Sequence, residues 1–306
     1  MSRSGPRGDD GGSAVCVPEL DEPAPQTVPS IGSGRHNLVY TSAGDHHNVH
    51  QWVADRPDFD VWVTYYGERA DPELPPVQRL DRSKGSKFQN LHRVWRRQRR
   101  TLASYEKVFV LDDDIRLSTG SINRLFRCLD ETGVRVLQPA FDPRGKISHP
   151  ITRARAGTRF RRVDFVEVGV ALFRAEHLWR FLEVYDPRLP CMGIDWWYSA
   201  HLGLARDGGA AIVDEIVCLN PHDESKGGRR EIDRLITDAD RRAVWAELRE
   251  QLGSSVEGLG CTVYERSRLR GPEYCASVAR ISLWRLLALV GRVRRRARRG
   301  CKLRSG

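Results

Sequence analysis

Apolar positions along this chain follow two periods that alternate. Asn37-Leu-Val-Tyr-Thr41, Phe59–Tyr65 and Lys107-Val-Phe-Val-Leu111 are short runs rich in β-branched and aromatic residues. Ser, Gly and Asp bound them, so they read as strands. Phe88, Leu91, Trp95, Gln98 and Leu102 instead return every three or four residues, predicting a helix with the Arg96–Arg100 cluster mostly on its outer face. Ser118 or Thr119 caps a further helix carrying Ile122, Leu125, Phe126 and Leu129.

The alternation continues. Val134–Leu137 and Ala211–Cys218 read as strands, and Phe165–Phe173 as a longer β-rich run. Leu178, Phe181, Leu182 and Tyr185 predict a helix, and Asp195–Leu204 a second. Arg230–Leu252 reads as one long amphipathic helix with Ile232, Leu235, Ile236, Val244 and Leu248 on its apolar face. Strands alternating with helices predict an α/β domain, a mixed, mostly parallel sheet flanked by helices. In such sheets ligands bind at the carboxyl ends of the strands. There is no internal repeat.

Composition divides the 306 residues into three. Residues 1–34 are rich in Gly, Pro, Ser and Asp without apolar periodicity, and are expected to be disordered. Residues 35–255 carry the α/β pattern, and 256–306 form a C-terminal extension with a basic amphipathic tail. The net charge of +10 belongs to that tail: ten Arg and Lys and no acid follow Glu273, leaving 40 basic and 40 acidic residues before them. A basic balance of this origin gives no reason to expect a specific nucleic-acid surface. Seven cysteines at 16, 128, 191, 218, 261, 275 and 301 show no C-x-x-C spacing, which fits reduced thiols. The first fifteen residues lack an apolar stretch, so no signal peptide is read and a cytoplasmic location is expected. No uninterrupted apolar run reaches ~18 residues, so no membrane-spanning helix is expected. Residues 278–290, short and followed by arginines, suit an interfacial helix on anionic lipid at the inner membrane surface.

The sharpest chemical signal is Asp112-Asp113-Asp114 at the end of the Lys107–Leu111 strand. Three neighbouring carboxylates repel one another unless a cation neutralises them. Oxygen-only ligands suit Mg²⁺ or Mn²⁺, and such an ion bridged to a diphosphate stabilises it as a leaving group. A solvated acidic turn is the plainer alternative. A haloacid-dehalogenase-type phosphatase would need D-x-D-x-T, and Arg116 stands at the fifth position. Lys84-Gly-Ser-Lys87, just before the Phe88 helix, offers free N–H groups and two cations for a diphosphate, although it is not a Walker A loop. His46 and His50, four apart beside Asp45, have the spacing of a transition-metal pair.

Strand-Asp112-Asp113-Asp114 resembles the D-x-D element of GT-A glycosyltransferases. A wider set comprises Thr41-Ser-Ala-Gly-Asp45, Val63-Thr-Tyr-Tyr-Gly67, Lys84-Gly-Ser-Lys-Phe-Gln-Asn90, Leu111–Ile115, Gln138-Pro139 and His149-Pro-Ile-Thr152. Together, over residues 36–225, these are similar to domain-of-unknown-function family 707, which is regarded as GT-A-like. The resemblance implies transfer of a sugar from a nucleotide-diphosphate-sugar to an acceptor, which the sequence does not specify; an inverting reaction is favoured, and the departure from the family's two-acid motif leaves retention open. It implies Thr41, Ser42, Ala43 and Asp45 in the nucleoside pocket, with Tyr65 and Tyr66 at the end of the second strand. Lys84, Lys87 and Asp113 would complete the donor site. Asp112 and Asp114 would hold Mn²⁺ or Mg²⁺, joined by His222 as a late ligand. Asp195 in Cys191-Met-Gly-Ile-Asp195-Trp-Trp-Tyr198 takes the place of a general base, with Trp196 and Trp197 as a platform for a sugar ring. Glu167, placed in a strand, would touch the acceptor or donor sugar. A catalytically inactive carbohydrate- or nucleotide-binding relative and a metal-dependent phosphohydrolase are the alternatives.

Overall fold

The computed structural model describes residues 36–223, 232–256, 258–260 and 262–302. The segment expected to be disordered, 1–34, lies outside the described residues. Among the described residues nine strands form one sheet: β1 Asn37–Ala43, β2 Asp60–Tyr65, β3 Arg79–Arg82, β4 Lys107–Leu111, β5 Val136–Phe141, β6 Thr158–Val163, β7 Val170–Arg174, β8 Ala210–Cys218 and β9 Val263–Arg268. The helices are α1 Val49–Trp52, α2 Lys87–Leu102, α3 Thr119–Thr132, α4 Ala175–Val184, α5 Ile194–His201, α6 Ile232–Leu235, α7 Asp238–Leu252 and α8 Gly271–Lys302.

The strand order is β3-β2-β1-β4-β7-β5-β8-β6-β9. Tracing the pairings across the sheet, seven of the nine strands run one way, and β6 and β7 run against them. The fold is therefore α/β with a mixed, mostly parallel sheet flanked by helices.

The period of two sorts each strand between two cores. In β4, Val108 and Val110 join the core that contains Phe88 and Leu91 of α2, Phe181 of α4 and Tyr198 of α5. Phe109 and Leu111 join the opposite core, with Trp52 of α1 and Ile122, Leu125 and Phe126 of α3. Burial on both faces explains why these strands read as continuous apolar runs. Helix α2 begins with a capping box: the Ser86 hydroxyl accepts from the Gln89 N–H, and the Gln89 side chain accepts from the Ser86 N–H. Such a cap contributes about 1 kcal/mol and fixes the direction in which Lys87 leaves the helix.

Several elements differ from the sequence reading. β3, β6 and β9 carry Arg-Leu-Asp-Arg, Thr-Arg-Phe-Arg-Arg-Val and Val-Tyr-Glu-Arg-Ser-Arg, too polar to read as strands. In β6 the buried Arg161 meets the buried Asp214 of β8 through two hydrogen bonds, 2.7 and 3.1 Å, so a charged residue occupies a core position. Only Val170–Arg174 of the Phe165–Phe173 run is a strand, and Glu167 lies in the turn before it. Of the long helix expected over 230–252, residues 230 and 231 lie outside the described residues and the rest is divided, with Thr237 capping α7 through the Asp240 N–H at 3.1 Å. β9 belongs to the C-terminal extension, yet pairs with β6. Over Gly271–Val293, α8 is one helix long and apolar enough by length and composition to cross a membrane. The reading of uninterrupted apolar runs passed over this window because the helix starts seven residues before the 278–290 segment and its arginines are sparse enough to keep the average apolar.

Candidate active site

A cleft of about 940 Å³ opens where the carboxyl ends of β1, β2 and β4 meet the turn before β7 and the start of α5. Small-molecule sites commonly span roughly 300–1,000 Å³, so this one is wide enough for a large ligand.

One wall is built on the acidic triplet. The Asn48 N–H donates to the Asp113 carbonyl at 2.7 Å and its side-chain amide to the Asp114 carbonyl at 2.6 Å, which pins the triplet's backbone. Asp113 is buried, and its carboxylate accepts from the Gly44 N–H at 2.9 Å and the Tyr66 hydroxyl at 3.1 Å. Burial, then the charges of Asp114 and Asp112, pushes its pKa up to about 7. Burial also drives the Tyr66 hydroxyl far upward, so it remains a donor. Asp112 is half exposed and pairs with Lys87 at 2.6 Å. Lys87 also donates to the Val168 carbonyl at 2.8 Å. A Cβ on Gly169 would come within 2.9 Å of the Asp112 carboxylate, so glycine keeps this approach open.

The other wall centres on Asp195, buried in the first turn of α5. Its carboxylate accepts from the Trp196 N–H at 3.1 Å, and His149 Nε2 approaches the other oxygen at 3.7 Å, too far for a hydrogen bond. Burial pushes Asp195 up to about 7 against the lowering effect of backbone N–H groups, and burial lowers His149. Glu167 is buried beside it, with its N–H on Gln138 Oε1 at 2.6 Å. Burial, then the charges of Asp195 and Asp112, raises Glu167 to about 8. An aromatic wall follows: the His149 ring lies 5.0 Å from Trp196 and 4.7 Å from Phe165, and Trp196 lies 6.2 Å from Trp245 of α7. Gly193 adopts φ +89°, and any Cβ there would collide with the Trp245 ring.

The cleft gathers Ser42, Asp45, His46, Tyr66, Lys87, Asp112, Asp113, Asp114, Glu167, Asp195 and Trp196 of the residues singled out from sequence. Others lie elsewhere. Thr41 and Ala43 are fully buried in β1 and do not line it. Tyr65 is core: its hydroxyl donates to Asp45, a contact that lowers the Asp45 pKa, and Tyr66 takes the cleft-facing place. Lys84 is exposed and pairs with Glu68 at 2.6 Å. Trp197 packs on Phe181 in the core. His222 sits with Nε2 3.1 Å from the Arg144 carbonyl and is not among the lining residues. His50 contacts the Glu73 carbonyl at 2.9 Å and stacks on His47, leaving the His46–His50 pairing without support. Sequence reasoning missed Trp245, which no local pattern links to Asp195, and His149, visible only inside a quoted motif.

Among the described residues, no group of three His, Cys, Asp or Glu side chains is arranged to hold a metal. A cage made only of protein ligands therefore does not fit. Mg²⁺ is commonly bound by one or two carboxylates, with phosphate and water oxygens completing its shell. Asp112 and Asp114, both on the cleft wall, fit that smaller donor set.

No family model matches the chain, so the likeness to family 707 rests on the quoted motifs. No curated protein matches either. Solved structures superpose at low scores. S. aureus TarS residues 1–349 gives a TM-score of 0.39 at 12% identity over 60% of each chain. The same TarS region in complex with UDP gives 0.41 at 11% identity, over 73% of this chain and 74% of that one. A197 from STIV gives 0.33 at 10% identity, over 64% of this chain and 98% of that one. The chain thus spans 60% of the first of these structures. At such scores the fold is established by the strand order rather than by the superpositions.

Proposed function

We propose that this protein is a metal-dependent glycosyltransferase of the GT-A type, using a nucleotide-diphosphate-sugar and inverting the transferred sugar. The observation that carries the reading is the convergence, in one cleft, of the Lys87–Asp112 charged site and the buried carboxylate of Asp195.

Ser42, Asp45 and Tyr66 line the nucleoside end. Lys87 supplies a fixed positive charge to the diphosphate. Asp112 and Asp114 would hold Mg²⁺ or Mn²⁺, and the ion, when bound, offsets the charge of the departing diphosphate. Trp196 and Trp245 give the acceptor an apolar face, which suits a sugar ring. Asp195 takes the proton from the acceptor hydroxyl as its oxygen bonds to the anomeric carbon and the bond to the diphosphate breaks. A carboxylate held near 7 is matched to that task, being ionised in useful amount yet basic enough to accept a proton.

Calorimetry with UDP, GDP, CDP and their common sugars, with Mn²⁺ or with EDTA, tests the reading. Metal-dependent binding of one nucleotide, lost in Asp114→Ala, supports it. Absence of binding by folded protein overturns it. Phosphate release without acceptor would favour a phosphohydrolase. Binding without transfer, unaltered by Asp195→Asn, would favour an inactive relative.

A further inference from the structure

We infer that α8 lies on an anionic membrane surface, with one face docked on the protein and the opposite face among the lipids. The two faces are distinct. Ser277, Ile281 and Ala288 are buried, spaced four and seven apart, and Trp284 packs between them under the Arg144 guanidinium at 4.5 Å. The Ser277 hydroxyl accepts from the Gly157 N–H at 3.1 Å. That stripe holds the helix on the domain.

Leu283, Leu286, Leu287, Val290 and Val293 lie on the other side, with exposures from 43% to 68%. Their spacing of three, one, three and three makes a second continuous stripe at helical period. At 100° per residue, Arg280 falls at the edge of this stripe beside Leu287, and Arg285 and Arg292 fall between it and the docked side, so the outward face is apolar through Val293. Long cationic side chains so placed lay their stems along apolar material and keep their heads in water.

The occupant follows from charge. From Arg280 to the end of the sequence there are ten basic and no acidic residues. Such a segment repels a second copy laid alongside it and is drawn to anionic headgroups. Spanning the bilayer is the other arrangement that the composition of Gly271–Val293 permits. It would strip Ile281 and Trp284 from the core they pack against, whereas lying in the interface keeps that packing and covers the outer stripe.

The test is flotation of the full chain with vesicles of phosphatidylcholine, with and without phosphatidylglycerol. Recovery with the anionic vesicles, weakened by salt, is expected. A Leu283→Glu, Leu287→Glu, Val290→Glu variant should lose bound protein by about ten-fold or more, with its circular dichroism melt unchanged because those side chains face outward. Equal recovery of variant and parent overturns the inference. So does resistance of the cell-expressed protein to alkaline carbonate, which marks a spanning helix. Self-association abolished by the same variant, without vesicle binding, would assign the stripe to a second copy. Nucleotide binding plays no part in these readouts, so they stand or fall apart from the proposed activity.

Discussion

The Lys87 ammonium lies 2.6 Å from the Asp112 carboxylate and 2.8 Å from the Val168 carbonyl, joining the strand that ends in the acidic triplet to the turn that leads to Glu167 and Asp195. Asp112 strengthens the link, because its own N–H donates to the Gly169 carbonyl at 2.8 Å. Lys87→Met should weaken nucleotide binding about 10- to 100-fold, the worth of one charge-assisted hydrogen bond at roughly 1.5–3 kcal/mol. Titration calorimetry checks this, and unchanged affinity would locate the diphosphate elsewhere.

As the proposed general base, Asp195 would act only when ionised. With its pKa raised to about 7, kcat/KM should rise with pH through that value and level off above it. Asp195→Asn should abolish transfer and leave nucleotide affinity within about two-fold, since the change is isosteric and lies on the acceptor side. A flat pH profile would remove Asp195 from the proton transfer.

The same burial has a cost in stability. Glu167 and Asp195 bind protons more tightly folded, at about 8 and about 7, than at their ordinary values of 4.5 and 3.8. Their stabilising effect is therefore complete at low pH and is lost as pH rises through 7 and 8. The Tm should be lower at about pH 8.5 than at about pH 5.5, and Glu167→Gln should reduce the difference. Scanning calorimetry across that range reads both.

Trp245→Ala removes one side of the aromatic wall without touching the triplet. Aromatic contacts of this kind are worth ~0.5–1.5 kcal/mol, so the acceptor KM should rise about 2- to 10-fold while nucleotide affinity stays. An equal effect on both ligands would show that α7 supports the whole cleft.

Arg161 and Asp214 form a buried pair in the sheet, away from the cleft. Arg161→Met leaves Asp214 without its charge partner and should destabilise by roughly 3–5 kcal/mol in urea unfolding. Adding Asp214→Leu should recover most of that loss, because an apolar pair replaces a stranded charge.

Legibility in the sequence followed local chemistry. Lys107–Leu111 was readable to the residue because an apolar run buried on both faces stops at three aspartates. Lys87 was readable as a cation at a helix start, and Ser86–Gln89 marks that start. The polar strands escaped because pairing partners, not their own composition, place them in the sheet: Arg161 reads as surface until Asp214 is known to face it. Tyr65 and Tyr66 are adjacent and alike in sequence, and only the pleat shows that the first turns to the core and the second to the cleft. Glu167 sits in an alternating apolar run that imitates a strand, but the chain turns there to enter β7. Trp245 depends on a tertiary approach across Gly193.

Two stretches of the chain line the cleft and meet across it. Residues 42–114 carry Lys87 and the triplet, residues 146–245 carry Asp195 and the aromatic wall, and Arg234 of the second reaches Glu68 of the first at 3.7 Å. The left-handed Gly133 that closes α3 falls between the two stretches. Recombination joined near Gly133 would keep each lining stretch whole and put at stake only the contacts that cross between them, such as Lys87 to Val168 and Glu68 to Arg234.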